Sequence, residues 1–259
     1  MQKEWIDRLI VRTGDIRING RPAGIGISLE QAEKLAVYTD LRLDWNSRMN
    51  LTAVTAPEEI LTKHLLDSMA GLPLLCSAGG LADVAAAGAP AKPVLADVGT
   101  GAGFPGMVLA VMRPDVEVVL MDALQKRLNF LEAVRDELGL VNVRTMHERA
   151  EDAGQKEACR EQMDFAAARA VAALPVLLEY CLPLVRTGGS FFAYKGPALK
   201  EELASSGHAL AVLGGKTESV YEISVKGEDW KHYILHVIKE KPTGKAYPRR
   251  QGKISKAPL

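Results

Sequence analysis

The sequence has no apolar run near the ~20 residues that a membrane-spanning helix needs. Its N-terminus, Met1–Arg8, contains acidic residues and no apolar signal core, so we expect no secretion. Cysteine is scarce, and the three that are present, Cys76, Cys159 and Cys181, lie far apart. An odd number of widely spaced cysteines argues against a disulfide framework and against a zinc site. We therefore expect a cytoplasmic protein with reduced thiols, no bound metal and no membrane association.

Net charge is absent as well, because 32 basic and 32 acidic residues balance over the 259 residues. The charges are unevenly distributed, since Lys241–Leu259 contains six basic residues and no acidic one. This asymmetry indicates an acidic partner at the C-terminal end, with a solubilising tail as the alternative. The hydrophobic content of 47% is typical of a soluble globular protein.

A glycine-rich segment, Asp97–Gly106, is the centre of the sequence and reads Asp-Val-Gly-Thr-Gly-Ala-Gly-Phe-Pro-Gly. Apolar residues precede it at Val94–Ala96 and follow it at Met107–Met112, which is the pattern of strand, turn and helix. Glycines allow the backbone to turn sharply and to approach a ligand closely. The free N–H groups at the start of the following helix favour a polar or anionic guest.

This segment is compatible with two cofactors. Starting at Gly101 it matches the dinucleotide fingerprint Gly-x-Gly-x-x-Gly. Starting at Asp97 it is acid-x-Gly-x-Gly-x-Gly, which resembles the first motif of Rossmann-type S-adenosylmethionine (SAM) methyltransferases. A structural glycine turn without a ligand is the third interpretation, so the rest of the chain has to discriminate among them.

The N-terminal region is predicted to be mainly helical, although residues 1–27 show no clear periodicity. Ser28-Leu-Glu-Gln31 is a capping box, and the apolar spacing after it predicts a helix from Leu29 to Arg48. Thr55-Ala-Pro-Glu58 is a second capping signal, for a helix that reaches Met69.

Strands and helices alternate after residue 93, which predicts a parallel sheet covered by helices. The predicted strands are Val94–Gly99, Val116–Asp122, Val143–His147, Phe165–Arg169 and Ser190–Lys195, and the predicted helices are Lys126–Leu138, Ala173–Arg186 and Leu199–Leu213. Two last strands, Ser219–Val225 and Trp230–Ile238, are joined by only four residues, which is too short for a parallel crossover. A mostly parallel sheet with a C-terminal antiparallel hairpin is the usual layout of SAM-dependent methyltransferases and argues against a standard dehydrogenase.

These patterns divide the chain into four segments. Residues 1–76 are an N-terminal helical extension packed on the core, and residues 77–93 are an Ala/Gly-rich linker or insertion. Residues 94–241 are the SAM-binding methyltransferase core, and residues 242–259 are a basic tail. The predicted fold is therefore an α/β, Rossmann-like class I methyltransferase with an N-terminal extension.

The candidate cofactor site lies beyond the carboxyl ends of the parallel strands. Gly99, Gly101, Gly103 and Phe104 follow the first strand. Asp122 ends the second strand, where a carboxylate accepts hydrogen bonds from ribose hydroxyls of NAD or SAM. Its alternative role is to cap the following helix.

Two further strand ends leave alternatives open. Glu148–Asp152, after the third strand, either holds an adenine edge or is a solvated charged loop. Arg169, after the fourth strand, is a lone charge in an apolar run and needs a partner or an open cleft. It faces the cofactor or the substrate, or it pairs with an internal carboxylate such as Asp97.

Taken together, these residues resemble the bacterial small-subunit rRNA guanine-N7 methyltransferase G family, also called glucose-inhibited division protein B. The resemblance extends from about Trp45 to the C-terminus. It is carried by Asn50-Leu-Thr-Ala-Val54, His64-x-x-Asp67-Ser68, Asp97–Gly106, Lys126-Arg127-x-x-Phe130-Leu131, Arg149-Ala-Glu151, Ala168-Arg-Ala-Val-Ala172 and Tyr247-Pro-Arg-Arg250. The long stretch at 77–92 and the first 27 residues depart from the family pattern.

The resemblance implies SAM-dependent methylation of N7 of guanine 527 in 16S rRNA. It implies that Gly99 and Phe104 line the cofactor site. It further implies a ribose region at Asp122, Ala123 and Leu124, an adenine region at Ala150 and Glu151, and Arg169 nearby.

The chemistry of N7 methylation requires no general base, because this nitrogen has a free lone pair and no proton to lose. We therefore expect no catalytic side chain of that kind. RNA binding needs cations for phosphates, and the tail supplies Arg249, Arg250 and Lys253. Asn50 and His64 are expected over the cleft, although a local hydrogen bond is an equal alternative for each.

The expected partner is 16S rRNA or the small ribosomal subunit. The sequence specifies no oligomeric state, and our expectation is a monomer. One alternative is a SAM enzyme of the same fold that acts on a small molecule or a protein. Another is a binding protein without catalysis, or an NAD oxidoreductase. Substrate screening and cofactor preference discriminate among these possibilities.

Overall fold

The computed structural model describes residues 3–49, 54–77 and 92–259, and this part of the chain is built on one mixed sheet. Its strands are β1 Ile16–Ile18, β2 Arg21–Pro22, β3 Val94–Val98, β4 Glu117–Asp122, β5 Val143–His147, β6 Met163–Arg169, β7 Val185–Lys195, β8 Gly215–Val225 and β9 His232–Lys239. They are arranged in the order β2-β1-β8-β9-β7-β6-β3-β4-β5.

Helices connect most of the strands. Before the central sheet come α1 Lys3–Thr13, α2 Leu29–Met49, α3 Pro57–Ile60, a π-helical segment Leu61–Leu66, α4 Asp67–Met69 and α5 Leu72–Ser77. After β3 come α6 Gly106–Met112, α7 Gln125–Leu138, α8 Ala150–Ala153, α9 Leu174–Cys181, α10 Leu199–Ala204, α11 Gly207–Leu213 and α12 Gln251–Lys256. Within the described ranges no helix has the length and apolar character to cross a membrane.

Strands β3 to β7 are mutually parallel, whereas β9 pairs antiparallel with both β7 and β8. The predicted parallel sheet and C-terminal hairpin are therefore confirmed. Successive residues of β3, such as Leu95 and Ala96, point into two separate apolar clusters, so the central strands are buried on both faces. The carboxyl ends of β3, β4 and β6 meet at one edge, where ligands bind in sheets of this type.

The first 27 residues, for which no element was predicted, form α1 and the short β1–β2 hairpin. Strand β1 extends the sheet because it pairs antiparallel with β8, with Ile16 opposite Val225. Trp5 and Leu9 of α1 are buried in the same cluster as Ile16. Strands of two and three residues are too short to show a periodic pattern, so the sequence did not indicate them.

The capping box of α2 forms as predicted. The Ser28 backbone N–H donates to Gln31 Oε1 over 3.0 Å, and the Gln31 N–H donates to Ser28 Oγ over 3.2 Å. The second predicted cap is wrong, since Ala56 occupies the cap position of α3 and no side chain makes a cap hydrogen bond. Pro57 starts that helix because its missing N–H has no helical partner to lose.

Two predicted helices have different bounds in the structure. The predicted helix Ala173–Arg186 ends at Cys181, and β7 already begins at Val185. The apolar residues at this junction suit a buried helix and a buried strand equally well. The predicted helix Leu199–Leu213 is interrupted at Ser205 and Ser206, whose hydroxyls donate to the Glu202 carbonyl.

Candidate functional site

The glycine-rich turn between β3 and α6 is fixed to the end of β4. The N–H groups of Gly99 and Thr100 both donate to the Met121 carbonyl, over 2.9 and 3.0 Å. Gly99 has φ +69°, and a Cβ on it would lie 2.7 Å from Val171 Cγ2. A side chain is therefore excluded at this position, and the backbone of the turn stays exposed toward the edge of the sheet.

Asp97 braces the turn from inside. Its buried Oδ2 accepts hydrogen bonds from Thr100 Oγ1, over 2.6 Å, and from the Gly106 N–H, over 2.9 Å. Burial raises the pKa of Asp97 to about 6. A Cβ on Gly106 would lie 2.6 Å from Asp97 Oδ2, so the helix start and the carboxylate are closely packed. Asp97 thus connects strand β3, the glycine-rich turn and the start of α6.

Asp122 joins the turn to the following loop. Its Oδ2 accepts from the Gly101 N–H over 3.0 Å, and its Oδ1 accepts from the Leu124 N–H over 2.9 Å. Arg127 is an ion-pair partner at 3.2 Å. The cap position of α7 is Leu124 and lacks a side-chain hydrogen bond, so Asp122 is not the helix cap that we considered as its alternative role.

A cavity of about 280 Å³ lies at this edge of the sheet and is called the donor cavity here. Residues at or just after the ends of β3, β4, β5 and β6 line it, together with residues of α7, α8, α9 and α12. They include Gly99, Asp122, Ala123, Glu148, Arg149, Ala150, Glu151, Ala170, Val171, Tyr180 and Gln251. Five residues predicted for the cofactor site therefore meet here: Gly99, Asp122, Ala123, Ala150 and Glu151.

Glu151 gives the donor cavity a specific polar feature. The residue is 6% exposed, and its Oε1 has no hydrogen-bond partner within the described chain. The nearest cation, Arg149, is 4.0 Å from this oxygen, which is too far for a hydrogen bond. A buried carboxylate oxygen of this kind needs a donor, and the amino group of an adenine supplies one. The cavity, with this unpartnered acceptor oxygen in its wall, therefore fits an adenosine-type cofactor such as SAM.

Phe104 and Gly103 belong to the packing beneath the turn. Phe104 is buried, and its ring centroid lies 4.8 Å from that of His64 and 5.3 Å from that of Tyr38. A Cβ on Gly103 would lie 2.7 Å from Tyr38 Oη. Four of the predicted cofactor residues, Gly101, Gly103, Phe104 and Leu124, are not among the residues that line the donor cavity.

A second cavity of about 500 Å³, called the acceptor cavity here, shares Ala170 with the donor cavity. Its walls come from the helical N-terminal region, the ends of β6 and β7, and the start of β9. Polar residues among them are Lys63, His64, Asp67, Arg169, Tyr194, Lys195, Glu202 and His232. Arg169, predicted near the cofactor, lines this second cavity.

Arg169 is held by a cluster of side chains from three elements. Its Nη1 is 2.9 Å from Asp67 Oδ2, and its Nη2 is 3.0 Å from His64 Nδ1. His232 Nδ1 lies 2.9 Å from the other oxygen of Asp67. Arg169 therefore pairs with Asp67 and not with Asp97, the partner that the sequence suggested.

The electrostatics of this cluster set the protonation of two members. Burial opposes ionisation of Asp67, but the hydrogen bond from His232 and the charge of Arg169 outweigh it and lower the pKa of Asp67. Burial lowers the pKa of His64 to about 3, with contributions from the charges of Arg169 and Arg42. His64 is therefore a neutral acceptor for Arg169 and carries no charge for an RNA phosphate.

The remaining RNA-binding predictions have different outcomes. Asn50 lies outside the described residues. Arg249 is engaged by Glu179, with Nη2–Oε2 and Nε–Oε1 distances of 2.7 and 2.9 Å. Arg250 and Lys253 are exposed.

Several lining residues were missed by the sequence analysis. Val171 and Asp67 stand inside quoted motifs, which is a signal that could have identified them. Tyr180 and Gln251 stand in no such motif and reach the donor cavity only through the tertiary fold.

Comparisons with known proteins give consistent matches. The family model described as rRNA small subunit methyltransferase G matches residues 31–230. A ribosomal RNA small subunit methyltransferase G from Clostridium perfringens (strain 13) is 45% identical over 236 residues, covering 91% of this chain and 94% of that protein. A protein of the same name from Desulfitobacterium hafniense (strain Y51) is 43% identical, covering 94% of this chain and 95% of that protein.

A solved structure matches the fold. It is a variant of a 16S rRNA (adenine(1408)-N(1))-methyltransferase from Catenulisporales acidiphilia, crystallised with SAM. The TM-score is 0.50 at 19% sequence identity, and the match covers 63% of this chain and 92% of that chain. At this identity the match establishes the fold alone, which is that of class I methyltransferases.

Proposed function

The chain belongs to the rRNA small subunit methyltransferase G family, and on that premise we propose that it transfers the methyl group of SAM to N7 of guanine 527 in bacterial 16S rRNA. The structural observation that carries this function is the meeting of two cavities at Ala170. A methyl transfer needs its donor and acceptor side by side, and this arrangement provides two adjacent places at the carboxyl edge of the sheet.

The donor cavity is assigned to SAM. In this assignment Asp122 accepts hydrogen bonds from the ribose hydroxyls, with Ala123 and Leu124 beside it. Ala150 and the unpartnered oxygen of Glu151 hold the adenine, and the backbone of Gly99 faces the rest of the cofactor. When bound, SAM supplies a methyl group on a positively charged sulfur.

The glycine turn has a supporting role in this proposal. Gly101 donates to Asp122, while Gly103 and Phe104 pack the turn against the helical region. These residues keep the donor cavity in shape from outside its wall. The same applies to Asp97, whose hydrogen bonds lie within the turn.

The acceptor cavity is assigned to the target guanine. Guanine presents the acceptors O6 and N7 and the donors N1–H and N2–H₂, so it needs groups of both kinds. Lys195 Nζ donates to the Ala172 carbonyl over 3.0 Å and to Glu202 Oε2 over 2.6 Å, which leaves one N–H of the ammonium. Lys195 therefore suits O6, and the second oxygen of Glu202 suits the donor edge.

Catalysis in this proposal rests on positioning. N7 attacks the methyl carbon with its own lone pair, so no residue has to remove a proton first. Two side chains of the acceptor cavity that could act as bases are otherwise engaged, because Asp67 is bound by Arg169 and His232, and His64 accepts from Arg169. The carboxylate of Glu202 is assigned to the donor edge of the guanine and not to proton removal. No catalytic base is assigned.

The RNA outside the target base is assigned to the basic tail, where Arg250, Lys253 and Lys256 are exposed. We no longer assign RNA binding to Arg249, because its guanidinium is bound to Glu179. We propose 16S rRNA, free or in the small subunit, as the partner, and a cytoplasmic location follows from that proposal. We further propose that the protein acts as a monomer.

The proposal is tested by incubating the protein with labelled SAM and small ribosomal subunits that lack this modification. We expect label to enter these subunits and not subunits that were methylated beforehand. A Lys195→Gln variant is expected to retain SAM affinity while methyl transfer falls roughly tenfold or more, since one charge-assisted hydrogen bond is lost. Absence of transfer by a preparation that binds SAM would instead favour a small molecule or a protein as substrate.

A further inference from the structure

The C-terminal segment 242–259 is folded onto the core next to the donor cavity. Ile254 of α12 is fully buried, and Tyr247 and Leu259 pack against the apolar cluster on that face of the sheet. Gln251, the first residue of α12, is one of the residues that line the donor cavity. This segment, which the sequence analysis described as a basic tail, therefore also contributes a residue to the cavity wall.

A buried ion pair anchors this segment just before Gln251. Glu179 of α9 is fully buried, and its carboxylate accepts the Arg249 backbone N–H over 2.7 Å in addition to the guanidinium. The hydrogen bond with Glu179 raises the pKa of Arg249. A buried carboxylate is costly without its cation, so Glu179 depends on the docked position of the tail.

A second set of contacts holds the chain upstream of the ion pair. Arg160 Nη1 donates to the Tyr247 carbonyl over 2.8 Å, and Nη2 donates to the Thr243 carbonyl over 2.5 Å. Gln155 Nε2 donates to the Pro248 carbonyl over 2.6 Å. These bonds saturate backbone groups that a free tail would leave to water.

Downstream of Gln251, α12 contacts the donor cavity a second time through Tyr180. Burial raises the pKa of Tyr180, and a hydrogen bond with Ser255 partly offsets this effect. Tyr180 itself lines the donor cavity. Gln251, which lines the cavity, thus stands between an anchor at Arg249 and a contact at Ser255.

We propose that the C-terminal segment is a closing wall of the donor cavity, that Gln251 contacts the bound cofactor, and that cofactor binding and docking of the segment stabilise each other. This inference rests on the proposed function for the identity of the cofactor. The amide of Gln251 offers a donor and an acceptor, and an adenosine presents both kinds of partner. Because Arg250 is the N-cap of the same short helix and Lys253 lies within it, RNA bound there is linked thermodynamically to cofactor retention.

The test measures the dissociation constant for SAM by calorimetry, without RNA, for the wild-type protein and three variants, one of which is a control. Gln251→Ala removes the cavity contact and should raise the Kd roughly fivefold to tenfold. Glu179→Gln weakens the anchor and should raise the Kd by a similar factor. Glu137→Gln, an exposed carboxylate on α7, is the matched control and should leave the Kd unchanged.

Limited proteolysis with trypsin supplies the second measurement, because the enzyme cleaves after Arg250 and Lys253. SAM should slow cleavage of the wild-type tail, and Gln251→Ala should remove most of this protection. Gln251 is exposed, so its replacement should leave the fold intact even where Glu179→Gln does not.

The two proposals fail in different ways. Equal Kd values for wild type and Gln251→Ala, with no protection of the tail by SAM, would overturn the closing wall and leave the proposed function standing. A wild-type protein that binds no SAM would overturn both.

Discussion

Individual residues in the glycine turn are constrained by close packing. Gly106 illustrates this, because a Cβ there would meet Leu120 Cδ2 at 2.5 Å and Asp97 Oδ2 at 2.6 Å. Both atoms belong to buried residues that are themselves packed. The acid and the last glycine of the motif are therefore required as a pair, irrespective of the cofactor.

Gly106→Ala should lower the free energy of unfolding by about 2 kcal/mol, since the added methyl group overpacks the core. Chemical denaturation measures this value. Gly207→Ala is the control, because its Cβ would meet nothing within 4 Å and alanine is favoured in a helix. Equal stabilities of the two variants would contradict the packing argument.

His64 makes the stability of the protein depend on pH. Its pKa is lowered to about 3, below its ordinary value of 6.5, so the unfolded chain takes up the proton first as the pH falls. The contribution to stability is present above about pH 6.5 and is lost as the pH falls toward 3. Asp97, whose pKa is raised, acts in the opposite direction over part of this range.

Replacement of His64 by Gln isolates this effect, because Asp97 is unchanged in both proteins. Between about pH 7 and about pH 5 the wild type should lose on the order of 1 kcal/mol more unfolding free energy than the variant. Denaturation curves at several pH values measure the difference. Parallel pH profiles for the two proteins would show that His64 is not buried as a neutral base.

At the scale of elements, one ion cluster ties the helical N-terminal region to the sheet. Asp67 of α4 binds Arg169 at the end of β6 and His232 at the start of β9. Asp67 is 2% exposed and Arg169 14% exposed, so water screens this pair weakly. The acceptor cavity depends on this connection, because it lies between the two parts.

Asp67→Asn should cost about 3 kcal/mol of unfolding free energy, because a buried guanidinium loses its charge partner. Methyl transfer should fall more than SAM affinity, since the donor cavity does not include Asp67. Glu58→Gln removes an exposed partner of Arg8 and should change stability by less than about 0.5 kcal/mol. Comparable losses of unfolding free energy in the two variants would show that the Asp67–Arg169 pair does not connect the helical region to the sheet.

The elements that the sequence predicted correctly have their signals within a few residues. Ser28 and Gln31 are three positions apart, and the sequence alone predicted the two hydrogen bonds of the capping box that they form. Strand β1 was not evident, because it is short and its partner β8 lies near the other end of the chain. The site shows the same difference between local and long-range signals. Asp122 was identified because it ends a predicted strand. Gln251 was not identified, because its position depends on the pair of Arg249 and Glu179, which are distant in sequence.

At the scale of the whole molecule, two exposed cations of the C-terminal segment lie on the side of the donor cavity. Arg250, the N-cap of α12, and Lys253 within α12 are exposed, and the first residue of this helix lines that cavity. Lys92 and Lys216 are also exposed, but they lie at the opposite edge of the sheet, next to the start of β3 and β8. The protein has no net positive charge, so under the proposed function RNA binding depends on local groups of cations such as this pair.

The double variant Arg250→Ala/Lys253→Ala should weaken binding to small subunits and reduce its dependence on salt, because fewer counterions are released. Binding measured at several salt concentrations gives the slope, which should fall by roughly one to two. Lys92→Ala/Lys216→Ala makes the same change in charge at the opposite edge and should leave the slope unchanged. Identical slopes in the two double variants would exclude the tail as the RNA-binding face.

The central claim is that the methyl donor and the methyl acceptor meet near Ala170, and that the acceptor is N7 of a single guanine. It is tested most directly by mass spectrometry of nucleosides and RNA fragments, after the protein has acted on small subunits that lack the modification. The account predicts one product, 7-methylguanosine, at guanine 527 of 16S rRNA. A methyl group on another base, on another atom of guanine or on a ribosomal protein would contradict it.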